Sequence, residues 1–278
     1  MTRFALVTGA GSGIGLALAK VLAQRGFQVI ATARKPQALA ELTALGFIAL
    51  PLDVTCEQSR TEFLQALSTH TKTIHLLINN AGYGAMGPVL DLTEAQWQAQ
   101  FSTNVFAVAL MTRALLPWLQ AASQQSSATV LNIGSVSASL VTPFAGAYCA
   151  SKAALHAISD AMLMELKPLG IQVQLVTTGA VATEFAARAS QELHWLSETS
   201  PWWPYRQGIL KRANASQDFP TQADAYASQL VNQLLQHPRR YHLLAGRGAR
   251  LLPALRRLLP WSWLSAILAR KFGIECRL

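Results

Sequence analysis

Short runs of apolar residues alternate along the chain with stretches in which apolar positions recur every three or four residues. The runs at 4–8, 28–32, 47–50, 74–78, 129–133, 172–177 and 241–244 predict strands. Helical spacing covers 14–25, 36–45, 57–67, 93–120, 147–166 and 223–235, with Thr93 as N-cap of the longest helix. Strict alternation of this kind predicts an α/β chain with one parallel sheet. Parallel neighbours are reached only through crossovers, and the crossovers lay helices on both faces of the sheet. Two segments break the rhythm. Residues 186–219 are rich in large aromatics (Trp195, Trp202, Trp203, Tyr205, Phe219) and are punctuated by Pro201 and Pro204. Residues 247–278 form a basic tail.

Composition narrows the picture. With 278 residues, 51% of them hydrophobic and 13% charged, the chain is large and apolar enough for one sizeable core. Neither break has the composition of a linker, so residues 1–246 read as a single catalytic domain and 247–278 as its extension. The net charge of +9 is concentrated at one end: nine Lys or Arg face one acid from residue 239 onward, against fourteen and thirteen before it. The tail interleaves Arg250, Arg256, Arg257, Arg270 and Lys271 with leucines, Trp261, Trp263 and Ile267, and Pro253 and Pro260 divide it into short helical pieces. Such pieces either pack on the body of the chain or lie in an anionic membrane interface. No recognition fold accompanies them, so nucleic acid is not an expected partner. Cys56, Cys149 and Cys276 are too few and too scattered for a disulfide framework or a metal site, and no metal is expected. Residues 1–7 run straight into a strand pattern instead of a charged-then-apolar leader. The expected location is the cytoplasm, with peripheral contact at the inner face of a membrane as the variant.

The chemistry begins directly after the first strand, at Thr8-Gly9-Ala10-Gly11-Ser12-Gly13-Ile14-Gly15. Glycines here permit a tight turn, and the helix that follows presents its positive end to a pyrophosphate. The arrangement predicts a Rossmann-type, doubly wound sheet that binds a dinucleotide through Gly9, Ser12, Gly13, Ile14 and Gly15. The second strand ends Ala31-Thr32-Ala33-Arg34-Lys35, with no carboxylate to hold ribose hydroxyls. Arg34 is placed to face a 2′-phosphate, so NADP(H) is preferred over NAD(H).

Together with Asp53-Val54, Asn79-Asn80-Ala81-Gly82, Asn104-Val105, Ser135 and Tyr148-xxx-Lys152, that turn makes the chain resemble the short-chain dehydrogenase/reductase family across nearly all of residues 3–245. The stretches Asn80-Ala81-Gly82-Tyr83-Gly84 and Ala147–Lys152 look closest to its hydroxysteroid- and retinol-dehydrogenase-like branch. The resemblance implies that Asp53 and Val54 contact adenine and that Asn80, Ala81 and Gly82 stabilise the sheet beside the cofactor. It implies that Asn104 holds a water linking Lys152 to solvent, and that 186–219 is the substrate lid. It also implies homodimers or homotetramers built from the helices at about 94–120 and 147–167. In Thr178-Gly179-Ala180-Val181-Ala182-Thr183, Gly179, Val181 and Thr183 stand where the family meets the nicotinamide, but Thr178 replaces the usual proline, leaving a less rigid turn.

Tyr148 and Lys152, four apart, share one helix face. A free tyrosine has a pKa near 10. The expectation is that the Lys152 ammonium, with the oxidised nicotinamide, favours the phenolate, so that Tyr148 exchanges a proton with the alcohol or carbonyl. Ser135 is placed to polarise that oxygen. The aromatic lid predicts an apolar alcohol, ketone or aldehyde of steroid, retinoid, long-chain or aromatic type. A silent NADP-binding sensor or scaffold is the alternative, disfavoured because Tyr148 and Lys152 are both present. His156, His194 and His242 read as structural or surface residues, and Cys149 as core.

Overall fold

The computed structural model describes residues 2–191, 193 and 196–274. His194, Trp195 and Cys276 lie outside the described residues. In chain order, β1 (Arg3–Val7), α1 (Gly13–Gln24), β2 (Phe27–Ala33), α2 (Pro36–Ala44), β3 (Ile48–Pro51), α3 (Glu57–His70) and β4 (Leu76–Asn79) form the first half. Then come α4 (Glu94–Phe101), α5 (Ala107–Ala114), α6 (Leu116–Gln125), β5 (Ala128–Ile133), α7 (Gly146–Leu166) and β6 (Ile171–Thr178). The seven main strands pair as β3-β2-β1-β4-β5-β6 and finally β9 (His242–Ala245), every pair parallel. The order therefore departs in opposite directions from β1 and β4, and a crevice opens beyond their C-terminal ends.

Burial explains why the strand runs are continuous instead of alternating. Ala5, Leu6 and Val7 of β1 are all fully buried, because helices cover both faces of the sheet. On one face Leu18 and Leu22 of α1 pack with Leu230 of α10 (Ala223–Gln236). On the other, Phe63, Leu67, Met111 and Leu119 come from α3, α5 and α6. Each such side chain contributes about 1.5–3 kcal/mol by leaving water.

The long helix expected over 93–120 is three pieces. Its start is as expected: Thr93 Oγ1 accepts from the Gln96 amide (3.3 Å) while Gln96 Oε1 accepts from the Thr93 amide (2.9 Å). A π turn at Ser102–Phe106 then inserts an extra residue. The axis finally bends by 56° between Ala114 and Leu116, where Pro117 lacks a donor and its ring crowds the preceding turn.

The segment expected to form the substrate lid follows β6. β7 (Val181–Ala182) pairs with β8 (Thr221–Gln222), which closes its neck, and α8 (Phe185–Gln191) and α9 (Arg206–Asn214) lie between them. The tail folds as α11 (Leu251–Leu258) and α12 (Trp261–Lys271). Its one break falls at Leu259–Pro260, not at both prolines. Pro253 sits in the first turn of α11, where no backbone donor is needed. Leu264 and Phe272 are buried and Leu268 is half-buried, packed with Ile209 and Ala213 of the lid. The approach is close: a Cβ on Gly208 would come within 1.9 Å of the Phe272 carbonyl oxygen. Leu251, Leu258, Trp263 and Ile267 on the other side are exposed. The tail is thus a packing element on one face and an open apolar surface on the other. Among the described residues, no single helix is long and apolar enough to cross a membrane.

Candidate active site

The crevice is a cleft of about 1580 Å³ running from the glycine turn to α7 and the lid. It exceeds the roughly 300–1,000 Å³ typical of a small-ligand pocket, and so has room for a dinucleotide and a substrate together. At the turn, Gly15 has no alternative. A Cβ there would lie 2.4 Å from the Gly9 oxygen and 2.5 Å from Asn80 Nδ2. Thr8 and Asn80 bolt the turn to the end of β4. The amides of Asn80 and Ala81 donate to Thr8 Oγ1 (3.0 and 3.1 Å), and Asn80 Nδ2 donates to the carbonyls of Thr8 and Gly9 (2.9 and 3.1 Å). Ser12 makes no side-chain cap, so the first amides of α1, at Gly13 and Ile14, stay open toward the cleft. The Ser12 hydroxyl accepts instead from Arg188 of the lid (3.1 Å). A turn with these amides open at a helix N-terminus fits a dinucleotide pyrophosphate.

At the far rim Ala33 is buried at the end of β2 and Arg34 is largely exposed, 3.8 Å from Asp53 Oδ2. Burial raises the Asp53 pKa. Bonds from the Thr55 hydroxyl and amide, then the charges of Arg34 and Arg60, outweigh that and hold the carboxyl below its ordinary value. Asp53, Val54, Ala81 and Gly82 all line the cleft.

At the inner end, Ser135 lies two residues past β5, its Oγ accepts from the Ser137 amide (3.1 Å), and it lines the cleft with Tyr148. Lys152, one turn along α7, is buried and donates to the Ile133 carbonyl (2.7 Å). Burial alone pushes its pKa down to about 8. The Tyr148 phenol has a pKa raised above its ordinary value. Burial raises its pKa, and the groups pulling it back are Ser135 and the Arg212 guanidinium.

Asn104 is buried. It sits in the π turn behind the cleft wall, its Oδ1 accepting from the Tyr83 amide (3.1 Å) and its Nδ2 donating to the Tyr83 carbonyl (2.9 Å) and Ser151 Oγ (3.1 Å). Its bonds position the 83–85 segment and α7, and none of them reaches Lys152.

Gly179, Val181 and Thr183 line the cleft opposite Tyr148. The turn that lacks its proline is held by other means. The amides of Gly179 and Ala180 donate to the carbonyls of Ala245 and Arg247 (2.9 and 2.8 Å), and buried Thr178 Oγ1 shares a 2.7 Å hydrogen bond with Tyr226 of α10. The missing ring is thus replaced by cross-strand and side-chain bonds.

Two further residues belong to this site: His156, expected to be structural or at the surface, and Arg212, which the sequence did not single out. His156 is one helical turn past Lys152, and its Nε2 accepts from the Ser135 amide (3.4 Å). Burial, then His242 and Lys152, push its pKa down to about 4 against the pull of Asp160, so it backs Ser135 as a neutral ring. The spacing 148, 152, 156 on one helix face was the available signal. Arg212, on α9, is buried beside Tyr148 and has no such signature.

Residues 3–194 match the family described as short chain dehydrogenase. A curated relative, the NADPH-dependent 1-acyldihydroxyacetone phosphate reductase of Schizosaccharomyces pombe, is 36% identical over 87% of this chain and 81% of its own. A short-chain dehydrogenase structure from Streptomyces avermitilis superposes with a TM-score of 0.77 at 28% identity, covering 97% of this chain and 94% of that one. A short chain dehydrogenase/reductase of Burkholderia phymatum, solved in complex with NAD, gives 0.77 at 26% identity, with 92% of each chain covered.

Proposed function

Since the chain belongs to the short-chain dehydrogenase family and is on that ground an oxidoreductase using a pyridine nucleotide, we propose that it interconverts an apolar ketone or aldehyde with its alcohol, preferring NADP(H). The observation that carries this reading is the grouping of Ser135, Tyr148 and, one turn further along α7, buried Lys152 at the inner end of a cleft that begins at the glycine turn. Gly9, Ser12, Gly13, Ile14 and Gly15 would hold the dinucleotide phosphates, Arg34 the 2′-phosphate, and Gly179, Val181 and Thr183 the nicotinamide side. When bound, the nicotinamide supplies or accepts the hydride.

The chain's own residues handle the rest. Ser135 and Tyr148 orient the carbonyl oxygen by hydrogen bonds, and Tyr148 Oη gives it the proton. Lys152, charged below about pH 8, favours the anion left on Tyr148 after that transfer. His156 fixes the Ser135 backbone. Met86, Phe185, Leu268 and Phe272 line the inner cleft and exclude water, which suits an apolar substrate. The relative from S. pombe, whose name specifies NADPH and an acyl-bearing substrate, supports the same choice.

A cofactor-resolved screen tests the reading: NADPH or NADH over apolar ketones and aldehydes, and NADP⁺ over the matching alcohols. NADPH oxidation with kcat/KM at least about tenfold above that with NADH is expected, the value of one charge-assisted contact. Nucleotide binding without turnover on any of them would speak for a sensor or scaffold.

Subunit contacts through α4–α5 and α7 belong to the same proposal, since Phe106, Leu110 and Met164 leave apolar surface exposed on those segments. A second reading concerns the tail. Exposed Leu251, Leu258, Trp261, Trp263 and Ile267, with Arg256 stacked 4.8 Å over Trp261, favour peripheral attachment to an anionic membrane. The full chain should pellet with anionic liposomes at low salt and be released by high salt. A protein that stays in the supernatant under both conditions removes the membrane reading.

A further inference from the structure

Arg212 is the charged group of the cleft that proton transfer leaves unexplained. It stands on α9, lines the cavity, and is only 8% exposed. Its Nε donates to Thr142 Oγ1, its guanidinium carbon lies 6.0 Å from the centre of the Phe272 ring, and the Cys149 side chain is within its reach. Among the described residues the ion pairs are Arg34–Asp53, Arg188–Glu184 and Lys271–Asp218, and no carboxylate is paired with Arg212. A guanidinium does not shed its proton, so burial cannot be relieved by neutralisation. A buried cation without a counter-anion is among the least favourable arrangements a fold can hold. Here Thr142 and the Cys149 thiol, both neutral, take up two of five donors and leave the rest without an anion.

We propose that Arg212 is an anion subsite and that the substrate is an apolar carbonyl compound bearing a phosphate monoester or carboxylate group. This rests on the reading above that the cleft binds a carbonyl at Tyr148. The guanidinium grips the anionic oxygens through its planar fork, the geometry in which arginine exceeds lysine. The apolar body lies against Met86, Leu140, Phe185 and Leu268. Lys271, already half-satisfied by Asp218 at 3.9 Å, lines the same cavity and adds positive potential for an approaching anion. Arg34 and the glycine turn occupy the opposite end, so the dinucleotide phosphates do not compete for Arg212. A role limited to easing proton loss from Tyr148 makes a different prediction: its removal would act equally on charged and uncharged substrates.

The test is titration calorimetry on the full chain saturated with NADPH, using octyl phosphate, octanoate and octanol, none of which NADPH can reduce. At least one anion should bind the parent about tenfold or more tightly than octanol, as a desolvated charge-assisted bond provides. Arg212→Gln should bring that ratio to within about threefold of unity while octanol binding stays put. Arg212→Lys, which keeps the charge but loses the fork, should fall between the two and carries the test if the Gln variant does not fold. A parent without anion preference, or a preference unchanged in both variants, overturns the subsite. Failure of the broader reading looks different: NADPH would then go unoxidised with charged and uncharged ketones alike.

Discussion

Tyr148→Phe is expected to lower kcat by about 10²–10⁴-fold, the span over which general acids act, with NADPH affinity nearly unchanged. The phenol is the proton donor, and the rest of its ring packs 5.5 Å from the Phe185 ring, a contact that phenylalanine keeps. The cradle at Gly9–Gly15 lies at the other end of the cleft and does not sense the change. Activity within about tenfold of the parent would remove Tyr148 from the acid/base role. The parent's pH profile gives an independent check through Lys152. Its folded-state pKa, about 8, is below the ordinary 10.5, so the ammonium is lost as pH rises through about 8. Reduction should therefore fall on the alkaline side of that value. The stability sign is opposite. Between about 8 and 10.5 the unfolded chain holds a proton that the folded one has released, so this group's contribution grows more favourable as pH rises. Activity that declines while the fold holds would separate the titration of Lys152 from alkaline unfolding.

Combining Ala33→Asp with Arg34→Ala should invert cofactor choice. Arg34 is exposed and loosely paired with Asp53 at 3.8 Å, so it can turn onto a 2′-phosphate without giving up a strong bond. Removing it costs one charge-assisted contact, worth about 1.5–3 kcal/mol. A carboxylate at the end of β2, where Ala33 now stands, repels the phosphate and offers an acceptor to ribose hydroxyls. The ratio of kcat/KM for NADPH over NADH should drop by about 10²-fold or more. A ratio that does not move would place the discrimination elsewhere on the rim, with Lys35 the next cation.

Much of this protein is written locally. Strand and helix periods identify themselves within a few residues, and parallel pairing with right-handed crossovers leaves few arrangements of seven strands. The glycine turn and the Tyr148/Lys152 pair are equally local, since a tight turn and a shared helix face depend on neighbours in the chain. Residues such as Ser12, Arg34 and Gly179 fall at strand ends, so their gathering in one crevice follows from the topology.

What the chain could not announce depends on distant packing. The kink at Pro117 was visible as a proline, but the π turn that holds Asn104 against the Tyr83 backbone and Ser151 of α7 joins groups 21 and 47 residues apart. Tyr226 of α10 supplies the bond that stands in for the missing proline, from 48 residues away. The Tyr148 pKa is raised by burial, to which side chains far along the chain, such as Phe185 and Leu268, contribute. The unpaired charge of Arg212 exists only because α9 folds over α7 and Phe272 of the tail closes behind it. Electrostatics and desolvation are set by all groups within several ångströms of an atom, whatever their separation in sequence, so only the tertiary structure decided them.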